Sequence, residues 1–236
     1  MSKAGIQSNR GDGYQTLVAF DWALSVLSEP GYQWLEVDSV SWSVDDVVIG
    51  KVDGTKIYCQ CKKNQTLHKA WSTADLADEL RKAISLLTSD PTAEIRFYSR
   101  SAFGDLSRLR EYSTNYADEA TYQTNLGKAL QESDTELGSL LVEQASNLST
   151  YQFLQRTTFE ISPELDRMEA FLRERLWRLV SNGSAAYNTL WTRLDYLGMR
   201  VSGHGESSAT QHRLTKDDLK VLLDNAGSLL TPPMDM

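Results

Sequence analysis

Two β-rich runs, DDVVIGK (45–51) and KIYCQCK (56–62), stand on either side of Val52-Asp53-Gly54-Thr55. Asp-Gly between such runs is the strongest short-range signal for a β-hairpin. It binds the rest of the fold to an antiparallel pair near the N-terminus. A hairpin brings the start of its first strand beside the end of its second, so Asp45 and Asp46 are expected opposite Lys62. Gln60 lies two residues before Lys62 and shares its face. Which aspartate joins that face depends on the turn. A two-residue Asp53-Gly54 turn puts Asp45 opposite Lys62, whereas a three-residue Val52-Asp53-Gly54 turn with a bulge selects Asp46.

Around the hairpin the pattern alternates helix and strand. YQTLVAFDWALSVLS (14–28) spaces Tyr14, Leu17, Val18, Trp22 and Val26 for an amphipathic helix, with Asp12 as its N-cap and Glu29-Pro30-Gly31 as its stop. WLEVDSVSW (34–42) has the period-2 alternation of a strand. STADLADELRKAISLL (72–87) opens on a Ser/Thr cap and lines up Leu76, Leu80, Ile84 and Leu87, so it reads as a second helix. After Asp90-Pro91, EIRFYSRS (94–101) reads as a fourth strand. Beyond residue 104 the pattern turns mainly helical: 104–113, 116–146 with breaks, 163–181, 184–198 and 215–225, interrupted by the strand-like TFEIS (158–162). RVSGHGESSATQH (200–212) reads as a polar loop. The expected fold is α/β (α+β): a core of helix, three strands, helix and strand over 1–115, then a mainly helical extension over 116–236 ending in a linker-like tail.

Composition narrows the class. The net charge of −8 argues against a chain that coats nucleic acid by bulk electrostatics. Residues 51–114 nonetheless carry 11 basic against 8 acidic side chains, so the hairpin region is locally positive. No apolar run is long enough to span a membrane, and MSKAGIQSNRGDG lacks the apolar stretch of a secretory signal. A cytoplasmic protein without a membrane partner is therefore expected. The two cysteines, Cys59 and Cys61, are one residue apart on a strand and point to opposite faces, which disfavours a disulfide between them.

The open end of the hairpin carries the chemistry. A carboxylate and an amide oxygen there can hold an oxygen-loving Mg²⁺, the ion can lower the pKa of a bound water, and a neighbouring lysine can orient that water or stabilise charge on phosphate. Read without that chemistry, Asp-Asp is a turn before a strand and Gln-x-Lys a solvated face. Helix-strand-strand-strand-helix-strand with Asp and then Gln-x-Lys resembles the PD-(D/E)xK restriction-endonuclease-like core in its Mrr-like form. Gly13-Tyr14-Gln15, Asp45 to Ile49 and Tyr58 to Asn64 are similar to the double-stranded DNA endonuclease domain of bacterial antiphage effectors. Such domains stand at the N-terminus of CBASS effectors and of antiviral STAND NTPases. FLQRTTFEIS, ELDRMEAFLRERL and RLTKDDLKVLL extend the resemblance over nearly the whole chain.

The resemblance implies Asp46 as metal aspartate with Asp45 in reserve, Gln60 at the acidic position of the motif, Lys62 as the catalytic lysine, and Gln15 as an indirect ligand. Glutamine at 15 and 60 leaves few carboxylates, for which Glu36 can compensate. Lys63, Lys69 and Arg100 are the expected phosphate contacts. The function implied is a Mg²⁺- or Mn²⁺-dependent endonuclease on double-stranded DNA, of low sequence specificity. It would be switched on by homo-oligomerisation through a sensor or NTPase module fused C-terminally or bound. The alternative is a catalytically inactive DNA- or protein-binding module on the same fold.

Overall fold

The computed structural model describes residues 3–38, 42–44, 46–62, 69–198, 212–228 and 230. In chain order its elements begin α1 (Lys3–Ser28), β1 (Tyr32–Val37), β2 (Val47–Lys51), β3 (Lys56–Lys62), α2 (Ala77–Ser89) and β4 (Glu94–Ser99). There follow α3 (Gly104–Thr114), α4 (Glu119–Asn125), α5 (Lys128–Glu143), α6 (Thr150–Gln155) and β5 (Thr157–Ile161), then α7 (Leu165–Trp177), α8 (Gly183–Gly198), β6 (Arg213–Thr215) and α9 (Lys216–Asn225). The class is mixed α/β, and helix, three strands, helix and strand come in the expected order. The chain divides into two compact units, one of residues 1–56 with 163–236 and one of residues 57–162.

The first unit is built on the antiparallel strands β2-β1-β6, with Leu35 opposite both Ile49 and Leu214. α1 packs against β1, β2, α7, α8 and α9. Its expected apolar residues Tyr14, Leu17, Val18, Trp22 and Val26 are all buried. Gly50 is required because the Trp34 ring lies across it: a Cβ there would stand 2.0 Å from a ring carbon. The hairpin bend is the three-residue form. Lys51 N–H donates to the Thr55 carbonyl at 2.9 Å and Gly54 N–H to the Lys51 carbonyl at 3.1 Å, with Gly54 at φ +86°. Asp53 locks it by accepting from both the amide (2.9 Å) and the hydroxyl (2.7 Å) of Thr55. That is the three-residue, bulged alternative of the turn.

The second unit holds the parallel strands β3-β4-β5, with α2 as the crossover between β3 and β4. Leu80, Ile84 and Leu87 of α2 are buried as expected, joined by Ala83 and Leu86. Phe97 stacks on Phe159 at 5.3 Å between ring centres, and Phe103 closes the cluster. Further out, the buried Asp134 of α5 accepts the Tyr122 hydroxyl at 2.7 Å.

Several boundaries differ from expectation. α1 begins at Lys3, so Asp12 lies inside it rather than capping it. β1 stops at Val37, because Asp38 takes a left-handed φ of +50°. The Ser72 cap is made, through reciprocal hydrogen bonds with Asp75, but it closes a turn that precedes α2 rather than opening the helix. α6 and β6 were not foreseen. The polar loop 200–211 lies outside the described residues.

Candidate functional site

Parallel strands leave their carboxyl ends open, and in open α/β sheets ligands are bound there. In the second unit Lys62 ends β3 and Ser99 ends β4, and the two are opposite in register. Lys62 forms an ion pair with Glu79 in the first turn of α2, and each side chain keeps 20% of its surface exposed. The Lys62 Nζ stands 5.8 Å from the centre of the Trp71 ring. Trp71 is fixed in turn: its indole N–H donates to the Ser99 hydroxyl at 2.8 Å and its amide to the Ala102 carbonyl at 2.8 Å. Gly104 allows this approach, since a Cβ there would meet the Trp71 carbonyl at 3.1 Å on a backbone already at φ +51°. The result is a partly exposed ammonium held between a carboxylate and an aromatic ring. Such a group can take a phosphate oxygen as a point charge.

The other expected site residues fall as follows. Gln60 shares the strand β3 with Lys62 and is half-buried. In the first unit, Asp46 is half-buried just before β2, and its main-chain carbonyl accepts both the Gln15 amide and the Asp38 N–H at 3.1 Å. Gln15 thus ties α1 to the entrance of β2. Asp45 and Lys63 lie outside the described residues. Lys69 is exposed and pairs with Asp75 at 3.8 Å. Arg100 directly follows β4 and is half-buried.

Glu36 is not available to compensate. It is 0% exposed, and its carboxylate accepts two bonds from Arg213, at 2.8 and 2.6 Å, and one from the Trp42 indole at 2.9 Å. Among the described residues no group of three or more His, Cys, Asp or Glu side chains could hold a metal ion. Mg²⁺ seeks near-octahedral oxygen ligation, and the donors described within either unit are sparse for it. No described helix is long and apolar enough to cross a membrane.

Glu79 was missed from sequence. In the helix it reads as one of two first-turn acids, Asp78 and Glu79, favourable to the helix dipole. Its partner lies 17 residues away. Trp71 carries no local signal of its role, because its hydrogen bond to Ser99 needs the end of β4.

No family model matches the chain, and no curated protein does. Among solved structures, that of an Acinetobacter baumannii Cap4 SAVED/CARF-domain containing receptor, with the cyclic trinucleotide 3′3′3′-cAAA, is similar over 92% of this chain with a TM-score of 0.57 and 13% identity. A Moraxella osloensis Cap4 SAVED/CARF-domain containing receptor is similar over 96%, with a TM-score of 0.53 and 13% identity. This chain spans less than half of each, 44% and 48%. These likenesses correct the expected function. The structures that share the fold are of receptors, two of them with a cyclic trinucleotide, where an endonuclease on double-stranded DNA was expected.

Proposed function

We propose that the chain is a domain of an antiviral defence receptor that recognises a cyclic oligonucleotide, and that Lys62 meets a phosphodiester of that ligand at the carboxyl ends of β3 and β4. The observation that carries this reading is the likeness to the Cap4 receptors over 92% of the chain. Three features of the site support it. The Lys62 ammonium can exchange Glu79 for a phosphate oxygen, Trp71 offers an aromatic face of the kind on which bases stack, and the site lies where parallel strands end. Within this reading, the order α1-β1-β2-β3-α2-β4 supports the restriction-endonuclease-like core as the finer description of the fold.

The test is calorimetric titration with 3′3′3′-cAAA. A charge-assisted hydrogen bond contributes roughly 1.5–3 kcal/mol, so Lys62→Ala is expected to weaken binding about 10- to 100-fold. Glu79→Gln, which releases the ammonium, is expected to tighten it. No heat with the parent protein, or equal affinities for parent and Lys62→Ala, overturns the reading. Plasmid cleavage in Mg²⁺ that Lys62→Ala abolishes would replace it with hydrolysis.

A further inference from the structure

Polar groups shut away from water are almost always hydrogen-bonded, so a cluster of enclosed donors without acceptors marks something missing. One such cluster lies in the second unit, where α3 runs antiparallel along β5. Two contacts fix this alignment. Phe103, just before α3, has its ring 5.4 Å from Phe159, and Ser113, near the end of α3, accepts the Gln155 amide on its carbonyl at 2.9 Å. Between these points Ser107 and Arg110 stand one turn apart, four and seven residues after Phe103, and so on the same side of the helix. Thr157 stands two residues before Phe159 and shares its face of the strand.

Along this seam Nε and Nη1 of Arg110, Oγ of Ser107 and Oγ1 of Thr157 are all enclosed and have no hydrogen-bond partner. The Thr157 side chain is wholly buried, at 0% exposure. Of the two acids on α3, Asp105 is occupied by Arg108 at 2.7 Å and by the Ser133 hydroxyl at 3.2 Å, and Glu111 is exposed. Burial also pushes the Arg110 guanidinium below its ordinary pKa. Thr158, whose hydroxyl is likewise unpartnered, faces the other side of β5 and takes no part.

We propose that the α3–β5 seam is a site for a small inorganic anion, which accepts from the Arg110 guanidinium and from the Ser107 and Thr157 hydroxyls. A water could accept from two of these donors. It would leave the charge of the half-buried Arg110 unanswered beside those hydroxyls, and an anion answers both needs. Thr157 sits on the strand hydrogen-bonded to β4, which ends at Ser99, but the anion site stands apart from Lys62 and does not depend on its role.

The test uses the full chain in chloride, bromide and phosphate at equal sodium concentration. A saturable rise in Tm of several degrees is expected for the parent, and none for Arg110→Met. Thr157→Val, nearly isosteric, is expected to weaken the anion dependence several-fold with an unchanged circular dichroism spectrum. Crystals in bromide should show an anomalous peak in contact with Arg110 Nε. The same salt dependence in parent and Arg110→Met, or a water in place of bromide at that position, overturns the proposal. Should Arg110→Met fail to fold, an unchanged anion dependence in Thr157→Val overturns it equally.

Discussion

Glu36 carries a buried charge, and its neighbours show why it is tolerated. Arg213 donates two bonds to it, and the same guanidinium lies 3.9 Å from the centre of the Trp34 ring, which in turn covers Gly50. Removing one partner of such a pair leaves an uncompensated buried charge, at a cost of about 3–5 kcal/mol. Arg213→Met is therefore expected to lower unfolding stability by about that much in urea titrations. Adding Glu36→Gln to it should recover a large part of the loss. Equal stabilities of the single and double variants would deny the pair its role. The sequence could not have shown this. Glu36 sits at an alternating polar position that reads as solvent-facing, and only β6, 177 residues further on, supplies the cation. Lys62, by contrast, was legible as a residue of interest because the hairpin alone fixes where β3 ends.

Among the elements, those with local signals were legible and those without were not. The Asp53-Gly54 bend, the apolar stripes of α1 and α2, and the Thr215 cap of α9 all follow from residues within a few positions of each other. β6 has only three residues and exists because Leu214 pairs with Leu35. α6 is a single short turn held by a Ser149–Gln152 capping box inside a stretch that otherwise reads as loop. The start of α9 lends itself to a pH experiment. Asp218 accepts from the Thr215 hydroxyl at 2.6 Å and the Thr215 amide at 2.9 Å. These bonds hold its carboxyl below the ordinary aspartate value, the hydroxyl contributing most. A depressed folded pKa stabilises the fold fully above the unfolded value of about 4 and is lost as pH falls through the folded value. Asp218→Asn is therefore expected to be less stable than the parent at neutral pH and to lose less stability below about pH 4. Parallel pH profiles of Tm for the two proteins would contradict this.

At the scale of the whole molecule, the acidic balance of −8 constrained little, because charges here act in local pairs. The mixed α/β class could be read from the order of elements. The grouping into units could not, because it joins residues 1–56 to residues 163–236 across 106 intervening positions that form a unit of their own. That arrangement makes a kinetic prediction. Domains tend to fold during synthesis in the order in which they emerge. Pulse proteolysis of ribosome-bound chains stalled after residue 162 has emerged should find β3, β4 and β5 protected and α1 still cleavable. Protection of α1 at that stage would contradict it.

The discontinuity of the first unit has a cost for the cell. α1 is translated before α7, α8 and α9, against which it packs, Phe20 for instance lying 5.0 Å from the Tyr187 ring of α8. Until those helices emerge, the apolar helix α1 has only β1 and β2 to cover it. It is the segment on which chaperone capture would act, and the one through which a truncated message would yield an aggregating product.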